Sequence, residues 1–251
     1  MERYFRQTML KDFGKEGQEK MFQASVLIVG VGGLGSVVAT YLAAAGIGNL
    51  RMADADIVSL HNLQRQVLYR EEQIGKKKVT EATKQLNQLN STIKIEANTD
   101  FFTAENAVEL IKNIDIVIDA TDNCHSRYLI NDICVGLDKP FIYGAISEFI
   151  GQVAVFNYKQ GATYRCLFPN EQEMIEKQEQ NKSIGVLGVL PGVIGCLQAN
   201  EAIKLITGYG EPLVNKLFSI DLQCNKTYTV SIPPIDESRK IAKSKWLEVS
   251  G

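Results

Sequence analysis

The segment Val26-Leu27-Ile28-Val29-Gly30-Val31-Gly32-Gly33-Leu34-Gly35 constrains the fold of this chain more than any other. Its four apolar residues read as a central parallel strand, buried on both faces. The strand runs straight into G-x-G-x-x-G on Gly30, Gly32 and Gly35, with Gly33 inside the motif. Beyond it, Leu34, Val37, Val38, Tyr41, Leu42 and Ala45 recur at helical spacing, and Gly46 offers a stop. Leu50-Arg51-Met52-Ala53-Asp54 predicts a second strand. Together these form a βαβ unit, right-handed by the crossover rule.

That context gives the glycines a chemical meaning. Glycine permits a tight turn and close backbone approach to a phosphate, and the helix N-terminus offers unpaired N–H groups. Asp54 follows about 20 residues later, where an acid can bind ribose hydroxyls. The motif by itself fits NAD and ATP alike, and glycines of this kind can also serve only to pack helix on sheet.

Strand and helix keep alternating. An amphipathic helix is expected over Lys78–Leu89, a short strand at Ile93–Ile95 and a helix at Ala104–Ile111. A buried strand is expected at Ile114–Asp119, a helix at Arg127–Val135 and a strand at Pro140–Gly144. The first 150 or so residues therefore read as a Rossmann-like α/β unit with a mostly parallel sheet and helices on both faces. The remainder changes character. Gly151–Tyr158 reads as a strand and Leu217–Ile232 as a hairpin around Cys224-Asn225-Lys226, with the polar run Glu171–Ser183 expected as a loop. We expect one domain over 1–251, its nucleotide-binding part at about 24–150 and an antiparallel extension at about 151–235.

Composition narrows the class of function. Lys and Arg number 27 and Asp and Glu 29, a net charge of −2, without the basic excess of a nucleic-acid binder. The five cysteines are widely spaced and form no C-x-x-C pair, which argues against a disulfide framework or a thiolate zinc site. The N-terminus lacks a signal-peptide pattern, and the longest apolar stretch, Ile184–Leu197, is interrupted by Pro191 and too short to span a bilayer. A soluble cytoplasmic protein, bound neither to membrane nor to nucleic acid, is expected.

Two further segments narrow the chemistry. The stretch after the second strand carries Asp54, Asp56, Asn62, Arg65 and Gln66, followed by Lys78. Arginine suits bidentate phosphate contact and asparagine can bridge phosphate or ribose oxygens. The plain alternative for Lys78 is a solvated basic helix face, since Lys76 and Lys77 adjoin it. Asp119-Ala-Thr-Asp122-Asn123 closes a buried strand, at the edge where open α/β sheets bind ligands. A lone carboxylate there suits Mg²⁺, and could equally cap the next helix.

These segments recur in order with Arg3-Tyr-Phe-Arg6-Gln7, Gly75-Lys-Lys-Lys78-Val79, Tyr164-Arg-Cys166-Leu167 and Gly195-Cys-Leu-Gln198-Ala-Asn-Glu201-Ala-Ile-Lys204. With Asn62-Leu-Gln-Arg65-Gln66 they resemble the MoeB/ThiF/HesA family, bacterial relatives of ubiquitin-activating enzymes, from about Arg3 to Lys226. The resemblance implies a nucleotidyltransferase that uses ATP and Mg²⁺ to adenylate the C-terminal Gly-Gly carboxylate of a small ubiquitin-like sulfur-carrier protein, in molybdopterin or thiamine sulfur transfer. It further implies that Asp54 binds ribose, that Asn62 and Arg65 hold ATP, and that Lys78 reaches the phosphates. Asp122, beside Asn123, would hold the metal, and Arg6 would act across a homodimer interface. Such chemistry needs positioning and charge neutralisation, and no general base, because a carboxylate is already ionised at pH 7. His61 is expected on the surface, and His125 is a candidate neighbour of the nucleotide.

The sequence departs from that family twice. Many members hold structural zinc with two C-x-x-C pairs; here the first reads Thr163-Tyr-Arg-Cys166, and no cysteine follows Cys224, so zinc is expected to be absent. The tail Asp236–Lys245 is then expected to brace the region by packing. Some relatives carry a reactive cysteine about four residues before Gly185, which is approximately Asn181 here, and no cysteine lies between Cys166 and Cys196. Sulfur would therefore come from a separate donor protein, and Cys166 and Cys196 read as buried packing residues. Two other classes stay open: a non-catalytic scaffold of the same fold, and a nicotinamide-dependent oxidoreductase.

Overall fold

A computed structural model describes residues 2–180 and 184–250. After the short helix α1 (Phe5–Thr8) and helix α2 (Gly14–Gln23), the chain forms β1 (Ser25–Val29), α3 (Gly33–Ala45) and β2 (Asn49–Ala53). Then come α4 (Lys78–Leu89), β3 (Lys94–Asn98), α5 (Ala104–Ile111) and β4 (Ile116–Asp119). Next are α6 (Cys124–Gly136), β5 (Phe141–Ser147), β6 (Ile150–Phe156) and α7 (Tyr164–Leu167). The last elements are α8 (Glu171–Gln180), α9 (Leu190–Thr207), β7 (Lys216–Asp221), β8 (Lys226–Ser231) and α10 (Asp236–Ser250).

All eight strands join one sheet in the order β3-β2-β1-β4-β5-β6-β7-β8. The first five pair in parallel and the last three antiparallel, so the mostly parallel sheet with an antiparallel extension is what the sequence led us to expect. Strands β1 and β4 are buried along nearly their whole length, as apolar runs between two helical layers must be. Each fully buried Val, Leu or Ile there is worth roughly 1.5–3 kcal/mol. One core lies between the sheet and helices α3, α4 and α9; the other lies under α5, α6 and α10.

The order reverses between β1 and β4, because the chain leaves β3 at one edge and crosses back to pair beside β1. A crevice opens at the carboxyl ends of strands flanking such a switch point. Glycine makes the crevice narrow: a Cβ on Gly30, at φ +87°, would stand 2.8 Å from the Ala120 carbonyl oxygen. A Cβ on Gly35 would overlap the carbonyl oxygen of Gly30. Helix α3 can therefore begin directly beneath the turn, and it ends at Gly46 in the left-handed conformation.

Two expectations change. The polar run from Glu171 is helix α8 as far as Gln180, not a loop. Its i,i+4 pair Lys177–Glu173 and its contacts with α6 supply what an apolar stripe would, so a period search finds no helix there. Asn181, with the rest of 181–183, lies outside the described residues. Cys166 and Cys196 are half-buried, not buried. The Cys166 Sγ accepts from the backbone N–H groups of Thr163 and Ile235, each at 3.3 Å, because it sits where the chain leaving β8 meets α7. Finally, helix α2 has no clear sequence signal, since it buries chiefly Gln18 and Met21.

The tail brace takes a definite form. Ser238 Oγ donates to the Arg165 carbonyl at 3.2 Å, and Arg239 donates to Asn157 Oδ1 at 2.6 Å and to the Gly161 carbonyl at 2.7 Å. Trp246 packs over Gly136, leaving no room for a side chain there.

Gly35→Ala tests the central contact. We expect a loss of about 3 kcal/mol, the upper range for overpacking against backbone that cannot yield. Urea denaturation of the variant beside wild type measures it.

Candidate nucleotide site

The site is assembled from four segments at the carboxyl edge of the parallel strands. The first is the turn from Gly30 to Gly33. Gly30 N–H donates to the Ala53 carbonyl at 2.9 Å, which ties it to the end of β2. The Val31 carbonyl accepts the buried Tyr69 hydroxyl at 2.7 Å. Burial, with Asp54 and Asp56 nearby, raises the Tyr69 phenol well above its ordinary value, so it stays a donor.

The second segment follows β2. Asp54 accepts from Val31 N–H at 2.7 Å through one carboxylate oxygen and from Asp56 N–H at 2.8 Å through the other. A carboxylate has about four acceptor positions, so further ones stay open to hydroxyls. Asn62 is buried, and Arg65 is half-buried with Nη1 donating to the His61 carbonyl. The Arg65 stem lies against Gly33, and Gln66 lies against Gly32. These glycines thus admit the neighbouring segment as well as a ligand.

Lys78 opens helix α4. Its side chain is buried, with Nζ 2.9 Å from the Asp56 carboxylate, whereas Lys76 and Lys77 are exposed. It is therefore not part of a solvated basic face. Asp56 is 57% exposed, so this pair does not consume a buried counter-charge.

The fourth segment follows β4. Asn123, not Asp122, caps α6, accepting from Ser126 N–H at 2.8 Å. The Asp122 carboxylate is exposed and has no hydrogen-bond partner among the described residues. One free carboxylate following a glycine turn at the same sheet edge is a donor set that suits Mg²⁺ where phosphate oxygens and water complete its shell. No group of three or more His, Cys, Asp or Glu suited to a metal occurs among the described residues, so an all-protein cage is not the alternative. The residues fit Mg²⁺ carried in with a nucleotide.

Arg6 is not brought to this cluster. It is exposed on α1, and its neighbour Gln7 donates to the carbonyl of Ala45, the last residue of α3. Glycines 30–35 stand at the other end of α3, roughly 20 Å away along 13 residues of helix. His61 and His125 are both exposed.

Sequence reasoning passed over three supports. Tyr69 locks the glycine turn, and Gln198 of α9 donates to the Asp119 carbonyl at 2.8 Å from full burial. Gln178 of α8 bridges the Asp122 carbonyl and the Cys124 N–H. The first two stand within or beside motifs already noted, while Gln178 carries no local signal.

A glycine turn opening a helix at the switch point, with an acid closing the next strand, defines a nucleotide-binding α/β protein of the Rossmann type. Comparison with known proteins narrows this further. Residues 4–240 match the ThiF family, and the chain belongs to that family. It is 45% identical over 226 residues to the sulfur carrier protein adenylyltransferase of Thermus thermophilus, covering 88% of this chain and 83% of that protein. It is 48% identical over 219 residues to the adenylyltransferase and sulfurtransferase MOCS3-1 of Zea mays, covering 87% of this chain and 47% of that one. The chain thus spans about half the length of several curated relatives that it matches. Among solved structures, E. coli MccB with ATP superposes with a TM-score of 0.82 at 26% identity, covering 93% of this chain and 72% of that one. No helix among the described residues is long and apolar enough to cross a membrane.

The state of Lys78 gives a test. Lys78→Met leaves behind a solvated Asp56, so folding stability should change by less than about 1 kcal/mol. A loss of several kcal/mol in urea denaturation would mark Lys78 as one half of a structural ion pair.

Proposed function

We propose that this chain uses ATP to adenylate the C-terminal Gly-Gly carboxylate of a small ubiquitin-like sulfur-carrier protein. The observation that carries the reading is the unengaged Asp122 carboxylate at the switch point, on the sheet edge shared with the glycine turn and with buried Lys78. The activities for which the relatives are named agree with it.

The α-, β- and γ-phosphates lie against the glycine turn and the N-terminus of α3, where free N–H groups face them. Asp54, already oriented by two backbone donors, takes the ribose hydroxyls, and Asn62 adds a polar contact. Arg65 and Lys78 neutralise phosphate charge. Mg²⁺, held by Asp122 next to Asn123, would add charge neutralisation on the phosphates and on the departing pyrophosphate. A carrier carboxylate oxygen bonds to the α-phosphorus as the bond from that phosphorus to the oxygen bridging the β-phosphate breaks. Pyrophosphate leaves with the electron pair, and no proton moves. Catalysis here is positioning and charge stabilisation.

The carrier docks on the antiparallel face away from α9. Strand register puts Ile150, Tyr228 and Val230 on that one face, each about half exposed. Arg6 acts from the second subunit of a homodimer, since its own site is out of reach, and exposed Phe5, Met9 and Leu10 flank it as contact surface. The whole chain works as one adenylation unit. A separate protein supplies sulfur, because no cysteine lies between Cys166 and Cys196. Five unpaired thiols suit a reducing cytoplasm, and no zinc is needed where α10 braces α7.

ATP–pyrophosphate exchange with purified carriers ending in Gly-Gly, tried one at a time, tests the reading. Asp122→Ala should cut exchange by about 10²-fold or more with the fold intact. Mixed Arg6→Ala and Asp122→Ala subunits should recover about a quarter of wild-type activity, as random pairing with one intact site per heterodimer requires. No recovery with heterodimers confirmed would place Arg6 outside the site.

A further inference from the structure

A guanidinium has five N–H donors, and in a buried setting nearly all find acceptors. Arg127, in the first turn of α6, has one accepted: Nη2 donates to the Thr121 carbonyl at 3.1 Å. Its Nε is buried without an acceptor, the Asp119 carboxylate standing off at 3.9 Å. Nη1 has no protein partner among the described residues, and the side chain as a whole keeps 14% of its surface exposed. The Tyr143 ring, 5.3 Å from the guanidinium carbon, holds the cation in place.

Asp119 is a poor counter-charge. Its Oδ1 is occupied by the Thr121 N–H and hydroxyl, and its Oδ2 has no donor. Burial raises its carboxyl above the ordinary carboxylate range, offset only in part by Arg127 and Thr121. Close by, the Tyr164 hydroxyl is also buried and unpartnered, its ring 5.5 Å from that of Tyr143. Two buried donors, Arg127 Nε and the Tyr164 hydroxyl, thus stay unpartnered, and the one free oxygen near the first, Asp119 Oδ2, lies 3.9 Å away, beyond hydrogen-bond reach. Donors left so short point to an oxygen-bearing ligand.

Direction identifies that ligand. Arg65 stands beside Gly33 and Pro191, on the α9 side of the sheet edge. Arg127 stands over Tyr143, whose register places it on the opposite face, the one that continues into Ile150, Tyr228 and Val230. Phosphates reach the first cation, and a protein tail laid over the exposed Ile150, Tyr228 and Val230 approaches the second from its own side of the sheet. We propose that Arg127 is a substrate-binding residue, its free N–H edge taking an oxygen of the carrier's terminal glycine and holding that carboxylate beside Asp122. The proposal rests on the adenylation reading above and adds a residue to it.

The test titrates carrier and ATP separately in pyrophosphate exchange, with wild type and Arg127→Lys, and measures binding of a non-hydrolysable ATP analogue without carrier. Lysine keeps the charge and loses the planar fork, so the half-saturating carrier concentration should rise more than about 10-fold. ATP half-saturation and analogue binding should stay within about twofold. An unchanged carrier titration overturns the proposal and leaves Arg127 a packing residue. An equal weakening of analogue binding overturns it in favour of a phosphate contact. Wild type answers the same question without any variant: carrier ending in a carboxamide should compete with native carrier at least about 10-fold less well than an unadenylatable carboxylate analogue. Equal competition overturns the proposal. Absence of exchange by wild type with every carrier would instead remove the adenylation reading, and the proposal with it.

Discussion

The closeness of two backbones governs this molecule. Gly30 and Gly35 bring the exit of β1, the start of α3 and the Ala120 carbonyl within contact of one another, with no space for a single methyl group between them. The end of β4 thereby lies directly beside the glycine turn, and the carboxylate three residues on, Asp122, follows at the same sheet edge. A side chain at either glycine would push β4 away from the turn and separate the proposed metal ligand Asp122 from the proposed phosphate site.

Around that contact, polar side chains from distant segments substitute for missing space. Tyr69 and Asp54 fasten the turn from the β2 side, and Gln198 fastens the Asp119 carbonyl from α9. The Tyr69 and Gln198 bonds are made in a dry environment, where losing the partner leaves a buried group unsatisfied at a cost of about 1–3 kcal/mol. Rigidity of this kind suits the adenylation proposed above, in which preorganised charge and not proton transfer would lower the barrier. The far end of the sheet is secured by other means: α10 threads hydrogen bonds from Ser238 and Arg239 into the α7 region, and the Cys166 thiol accepts backbone donors.

The alternative readings of individual residues were settled by burial. Lys78 could have been one more lysine on a wet helix face, but it is enclosed while Lys76 and Lys77 are not. Asp122 could have capped α6, but Asn123 does so. In both cases neighbouring residues of like chemistry make the local sequence ambiguous, and only the path of the chain in space separates them. Arg6 is the opposite case: its sequence motif suggests a role in the site, and the length of α3 shows that its own subunit cannot supply it there.

By itself the sequence determined the βαβ core, its glycine turn and the mostly parallel sheet with an antiparallel extension, because apolar runs, helical spacing and glycine positions are local signals with a direct physical meaning. The limits of α4 and α5 were legible for the same reason. Helix α8 was not, since its stability comes from contacts with α6 and from charge pairs that resemble a polar loop in one dimension. The under-satisfied state of Arg127 was equally hidden: any arginine in a helix looks alike in sequence. Only the tertiary structure places it over Tyr143 and beneath the Thr121-Asp122 turn, short of acceptors, because hydrogen-bond satisfaction depends on what the rest of the chain brings within 3 Å or so.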